Sequence, residues 1–176
     1  DTRSLNYELI GLPNDHTFVV IHSGVSRKLT DGRYKERKVE CDGAKAYFQT
    51  DDLCHLDPQD VGASDLAQPL HKRALHCATE HRRVLASVVA LKAGDIETMG
   101  ALMNESHVSM RDDFEVSVAP IDALVASALE EGALGARLTG GGFGGCIVAL
   151  VANELKSRWL ARLLELYPNA RFICEA

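Results

Sequence analysis

Five of the six residues at 140–145 are glycine, the sixth being Phe143. Gly135-Ala136-Arg137-Leu138-Thr139 precedes them and the apolar, β-rich run Cys146-Ile147-Val148-Ala149-Leu150-Val151 follows. Each glycine raises the entropic cost of ordering the backbone, so such a cluster marks turns with φ > 0 or something packed against bare main chain. A strand, a glycine loop and a second strand present main-chain N–H groups that can form an anion nest, and the chemistry this suits is phosphate binding. The competing reading is a mobile hairpin or a close helix–strand crossing. Other phosphate loops fail on context. Gly140, Gly142 and Gly145 spell G-x-G-x-x-G, but a dinucleotide site needs a helix after the loop, and here a strand follows. A kinase hairpin needs a lysine on the next strand with H-R-D and D-F-G elements, and a P-loop needs lysine where Cys146 stands.

Titratable residues gather in two further places. In Glu105-Ser106-His107-Val108-Ser109-Met110-Arg111-Asp112-Asp113-Phe114, carboxylates beside a histidine and an arginine suit acid–base work or cation binding. A buried charge-assisted network joining two helices explains them equally, and neither Asp112 nor Asp113 is assigned a catalytic role. His71, His76 and His81, with Glu80, share one helical pattern, but a spacing of five turns them out of register and no metal site is assigned. Tyr34 opens another helical pattern, where a phenol reaches a cleft or anchors the helix.

These groups need elements to hold them. The 176 residues read as a domain at 16–176, with 1–15 as the tail of a preceding domain or a linking strand. The absent initiator Met suggests a piece of a longer protein. Net charge −6 and pI near 5.6 provide no basic footprint for nucleic acid, and no apolar run nears the ~20 residues of a membrane span. Five cysteines without C-x-x-C point to reduced thiols in the cytoplasm, with Cys146 and Cys174 as small core hydrophobes.

Residues 17–23 read as a strand buried on both faces, after a turn at 12–15. A helix over 29–48 takes Asp31 as N-cap and turns Tyr34, Cys41, Ala44 and Phe48 inward. Residues 49–65 form an acidic, solvated connection. A helix over 66–93 stops at Gly94, with Leu70, Ala74, Cys77, Leu85, Val88 and Leu91 inward and Lys72, Arg73, Arg82 and Arg83 outward. Asp95 caps a helix over 96–110. Another starts at Pro120 and buries Ile121, Leu124, Val125 and Ala128. Beyond the glycine hairpin, Asn153 caps a helix with Leu155, Trp159, Leu160, Leu163 and Leu164 as its stripe, and 171–174 is a last strand. With the inserted helices taken as one element, this is β-α-β-β-α-β: an α+β, ferredoxin-like split antiparallel sheet with extra inserted helices, covered on one face.

Four stretches, in order, carry a resemblance: Asp1-x-Arg3-Ser4-Leu5, Tyr34-x-x-Arg37-Lys38-x-Glu40-Cys41, Glu105-Ser106-His107-x-Ser109-Met110-Arg111-Asp112-Asp113-Phe114-Glu115, and Gly135 through the glycine loop to Cys146. Together they resemble the C-terminal half of galactokinases, within the GHMP kinase superfamily. The resemblance implies the GHMP kinase C-terminal fold and an enzyme moving the γ-phosphoryl of MgATP onto the C1 hydroxyl of D-galactose, in a site between two domains. Tyr34 matches the tyrosine that borders the sugar. Gly140, Gly141, Gly142, Phe143, Gly144 and Gly145 match the superfamily's third motif, near the transferred phosphate. The family's catalytic base, magnesium ligands, sugar motif and ATP loop precede the point where this chain starts. No catalytic residue and no metal ligand is therefore assigned here, and the chain alone is expected to be inactive without an N-terminal half. Lys38 stands where arginine is usual, which loses bidentate pairing; Thr2 replaces a cysteine, and His22-Ser23-Gly24 an asparagine-containing turn. A sugar-sensing module of the same build, or a sister enzyme such as an N-acetylgalactosamine kinase, fits the same motifs.

Overall fold

The computed structural model describes residues 5, 7–11, 14–25 and 32–176. Residues 1–4 of the expected N-terminal motif at 1–5, residues 12 and 13 of the turn at 12–15 and the proposed cap Asp31 lie outside the described residues. Four strands, β1 (His16–His22), β2 (Gly135–Thr139), β3 (Cys146–Ala152) and β4 (Arg171–Glu175), form one sheet of order β2-β3-β1-β4. All three pairings are antiparallel. This is the split order that the β-α-β-β-α-β pattern predicts.

Alternation along the strands decides where the core sits. Val19, Ile21, Ala136, Leu138, Ile147, Ala149 and Val151 point to one face and are buried. Over them lie α5 (Ala119–Glu130), with Ile121, Leu124, Val125 and Ala128 inward, and α6 (Asn153–Leu166), with Trp159 and Leu163. The Trp159 indole N–H donates to the Ala128 carbonyl at 2.8 Å, tying the two helices. The opposite face carries Phe18, Val20, Cys146 and Val148, which are only half-buried, and Leu150, which is buried. The first strand is therefore fully buried on one face and only half-buried on the other. Cys174 pairs opposite Val20 on the edge strand and is exposed, so it is not a core residue.

The inserted helices are α1 (Arg33–Phe48), α2 (Pro58–Gly62), α3 (Leu70–Ala93) and α4 (Ile96–Asp112). Helix α4 packs against the free edge of β2 where two glycines meet: a Cβ on Gly135 would lie 2.5 Å from the Gly100 carbonyl oxygen. Asn104 then pairs with the strand's outer backbone, donating to the Leu134 carbonyl (3.1 Å) and accepting the Ala136 N–H (2.9 Å). Asp95 caps α4 as expected, accepting the Thr98 N–H at 3.0 Å.

Asn153 does not cap α6. It is the first helical residue, and its amide instead donates to the Asn14 carbonyl. The acidic stretch 49–65 is also more than a solvated connection. Asp52 and Asp57 cap a 3-10 turn (Leu53–His55) and α2, which seat Leu53 and Val61 in a second core with Ala44, Ala74 and Ala78. Leu85 is exposed, since α3 packs between α1 and α4 on a stripe of small residues, Ala74, Ala78 and Ala90. Among the described residues no helix is long and apolar enough to cross a membrane.

Candidate functional site

The glycine loop joins β2 to β3 and is held from two sides. Phe143, at φ 61°, donates its N–H to the Val116 carbonyl at 2.7 Å, and Gly142 packs so close that a Cβ there would lie 2.7 Å from the same oxygen. Gly145 donates its N–H to the Val25 carbonyl at 2.9 Å, and its own carbonyl accepts the Ser23 N–H and hydroxyl. These tethers make the loop a fixed structure. Its exposed end is Gly140 and Gly141, while Gly142, Phe143 and Gly144 are buried. Two of its N–H groups are spent on protein carbonyls, so an anion would meet the Gly140–Gly141 end.

Tyr34 lies in the first turn of α1 and is 65% exposed, not turned into the core as the helical pattern suggested. The pattern misleads because this turn extends past the second core toward the glycine loop. Beside Tyr34, the Arg33 guanidinium carbon stands 4.4 Å from the centroid of the Phe143 ring, a cation–π contact joining the two candidate regions. Tyr34 also lines a cleft of about 280 Å³ with Arg37, Lys38, Cys41 and Phe114.

Behind this cleft lies a cation that the helical pattern put outside. Arg73 is 1% exposed, donating to Glu40 (2.7 Å), to Glu115 (2.5 Å) and to the Asp113 carbonyl (2.5 Å). Its burial is possible because every face of the guanidinium finds an acceptor. Glu40 is pushed up by burial, but the bonds from Arg73 and Arg37 outweigh this and hold its carboxyl below the usual range. The sequence signal was present in part: Glu40 and Glu115 both belong to the motifs read above, and two inward carboxylates need a cation.

The run 105–114 divides between network and surface. His76 stacks on Phe114 at 4.5 Å and bonds Ser109 Oγ at 3.0 Å, while Ser109 donates to Asp113 at 2.8 Å. Since the single hydroxyl hydrogen goes to Asp113, His76 must donate from Nδ1. Burial draws the His76 pKa down to about 4. His107 is buried too, with Nδ1 accepting the Leu138 N–H and Nε2 lying 3.3 Å from Asp122, and burial lowers its pKa. Ser106 donates to Glu80, which also takes Arg83 and Arg137; burial raises this carboxyl, and those partners prevail and lower it. Glu105 is exposed, and Arg111 and Asp112 pair on the surface. The buried network, rather than an acid–base centre, is what this stretch builds. Of the three helix histidines, His76 is committed to Ser109, and His81 meets the ring of His55 edge-on at 5.2 Å. Among the described residues no three His, Cys, Asp or Glu side chains gather as a metal site.

Comparison with known proteins shows what this scaffold is similar to. Residues 87–166 match the family model described as GHMP kinases C terminal. The four-stranded antiparallel sheet and its helices are similar in fold to the C-terminal domain of that family. In sequence and fold the chain is similar to the C-terminal half of galactokinases. A galactokinase of Roseiflexus sp. (strain RS-1) is 40% identical over 190 residues, covering 100% of this chain and 49% of the relative. The crystal structure of Lactococcus lactis galactokinase complexed with galactose superposes with a TM-score of 0.90 at 33% identity, over 98% of this chain and 48% of that one. L. major mevalonate kinase in complex with R-mevalonate shares the fold at TM-score 0.63 and 23% identity, over 97% and 44% of the two chains. The chain thus spans about half the length of the relatives it matches.

Proposed function

We propose that this chain is the C-terminal part of a galactokinase, a cytoplasmic enzyme that uses MgATP to phosphorylate D-galactose at its C1 hydroxyl. The observation that carries the reading is the contact of Arg33 with Phe143, which sets the Tyr34 turn beside the glycine loop. Phosphoryl transfer asks little covalent chemistry of a protein. It asks for an acceptor and a phosphate held in line and for charge stabilised as it spreads over the phosphoryl oxygens.

In this reading Tyr34 walls the sugar with its exposed phenol, and Gly140, Gly141, Gly142, Phe143, Gly144 and Gly145 lie near the transferred phosphate. The Gly140 end suits an approaching polyanion, since among the described residues a Cβ at Gly140 would meet nothing within 4 Å. Magnesium bound with ATP would offset phosphate charge. Its ligands, the base that takes the proton of the C1 hydroxyl and the ATP loop belong to an N-terminal half, the partner this domain works with.

The test is a coupled ADP-release assay. Galactose turnover is expected when this chain is combined with the N-terminal half of a galactokinase, and none from the chain alone. Turnover by the chain alone would contradict the two-half site. A preference for N-acetylgalactosamine would name a sister kinase, and tight galactose binding by the chain alone, measured by calorimetry, would favour a sensing module.

A further inference from the structure

Arg73 links the two halves of the candidate site without touching either. Toward α1, its Nε bonds Glu40 Oε2 at 2.7 Å; about two turns earlier that helix carries Arg33 and Tyr34. Toward the loop, its other nitrogens hold the Asp113 carbonyl and the Glu115 carboxylate, both at 2.5 Å. Residue 115 leads directly to Val116, whose carbonyl receives the Phe143 N–H and against which Gly142 packs. The Arg33–Phe143 contact closes the circuit.

We propose that Arg73 is a positioning residue that sets the separation between the first turn of α1 and the glycine loop. This rests on the kinase reading above, in which those segments face the sugar and the phosphate. A planar guanidinium can hold two carboxylates and a carbonyl in one fixed arrangement. A lysine at this site keeps the charge but not the fork, so at least one segment is released. Where catalysis depends on alignment, a misplacement near 1 Å costs about a hundredfold.

The experiment compares Arg73→Lys, Glu115→Gln and their double variant in the two-domain protein, with the exposed Arg162→Lys as control. Arg73→Lys is expected to lower kcat by about ten- to a hundredfold while the KM for ATP stays within about twofold. Amide hydrogen exchange should rise together at 33–37 and 140–145 and stay unchanged in β1 and β3. Glu115→Gln should repeat this pattern more weakly, and the double variant should be no worse than Arg73→Lys, because both act through one circuit. A kcat within about twofold of the parent overturns the proposal. So does a loss of kcat with exchange raised throughout the domain, which would make Arg73 only a support for the fold. If the parent protein fails to phosphorylate galactose, the kinase reading falls, and the exchange data still decide whether Arg73 couples the two segments.

Discussion

His76 is kept neutral by its place under Phe114, and this gives the domain a pH dependence of calculable sign. Its pKa in the folded chain, about 4, lies below the value of ~6.5 in an unfolded one. The unfolded state therefore binds the proton first, and stability falls as pH drops from ~6.5 toward 4, by about 3 kcal/mol for this group. His107, also lowered by burial, acts in the same direction. Thermal melts across that window should show the loss, and His76→Gln should flatten it; an unchanged slope would show that His76 is not the group responsible. The glycine loop offers a second residue-scale test. Gly142 combines φ +77° with a Cβ position 2.7 Å from the Val116 oxygen, so Gly142→Ala should cost about 1–3 kcal/mol in a denaturant melt. A neutral result would mean the loop is not held as described. Arg73 shows why single residues are the hardest to place from sequence. Helical spacing reports the side of a helix, not whether the partner there is water or a pair of carboxylates.

Among elements, the crossing of α4 over β2 depends on two glycines meeting backbone to backbone. Gly135→Ala would put a Cβ 2.5 Å from the Gly100 oxygen and should destabilise the domain by about 1–3 kcal/mol, read as a lowered Tm. A Tm equal to the parent's would show that the helix can retreat without loss. Legibility followed the simplicity of each element's surroundings. Helix α5 turns a single apolar stripe to the sheet, and its Ile121, Leu124, Val125 and Ala128 were readable from spacing alone. Helices α1 and α3 each meet more than one partner, so polar and small residues fill positions where large apolar ones were expected: Arg73 inside, Leu85 and Tyr34 outside. The acidic composition of 49–65 concealed two capped turns, because Asp52 and Asp57 serve as N-caps while only Leu53 and Val61 enter the core.

For the whole molecule, the order of strands and helices was enough to reach the sheet topology, because few right-handed, unknotted arrangements satisfy β-α-β-β-α-β. It did not reveal that the first turn of α1 and the glycine loop, over a hundred residues apart, meet through Arg33 and Phe143; contacts between distant loops leave no periodic trace. That meeting is the core of the functional account. Its most direct test is amide NMR on this chain, isotope-labelled and reassembled with an N-terminal half. Galactose should shift resonances at 33–38, and a non-hydrolysable ATP analogue should then shift those at 140–145. Saturating ligands that leave both segments unmoved, in an assembly that turns over galactose, would contradict the account.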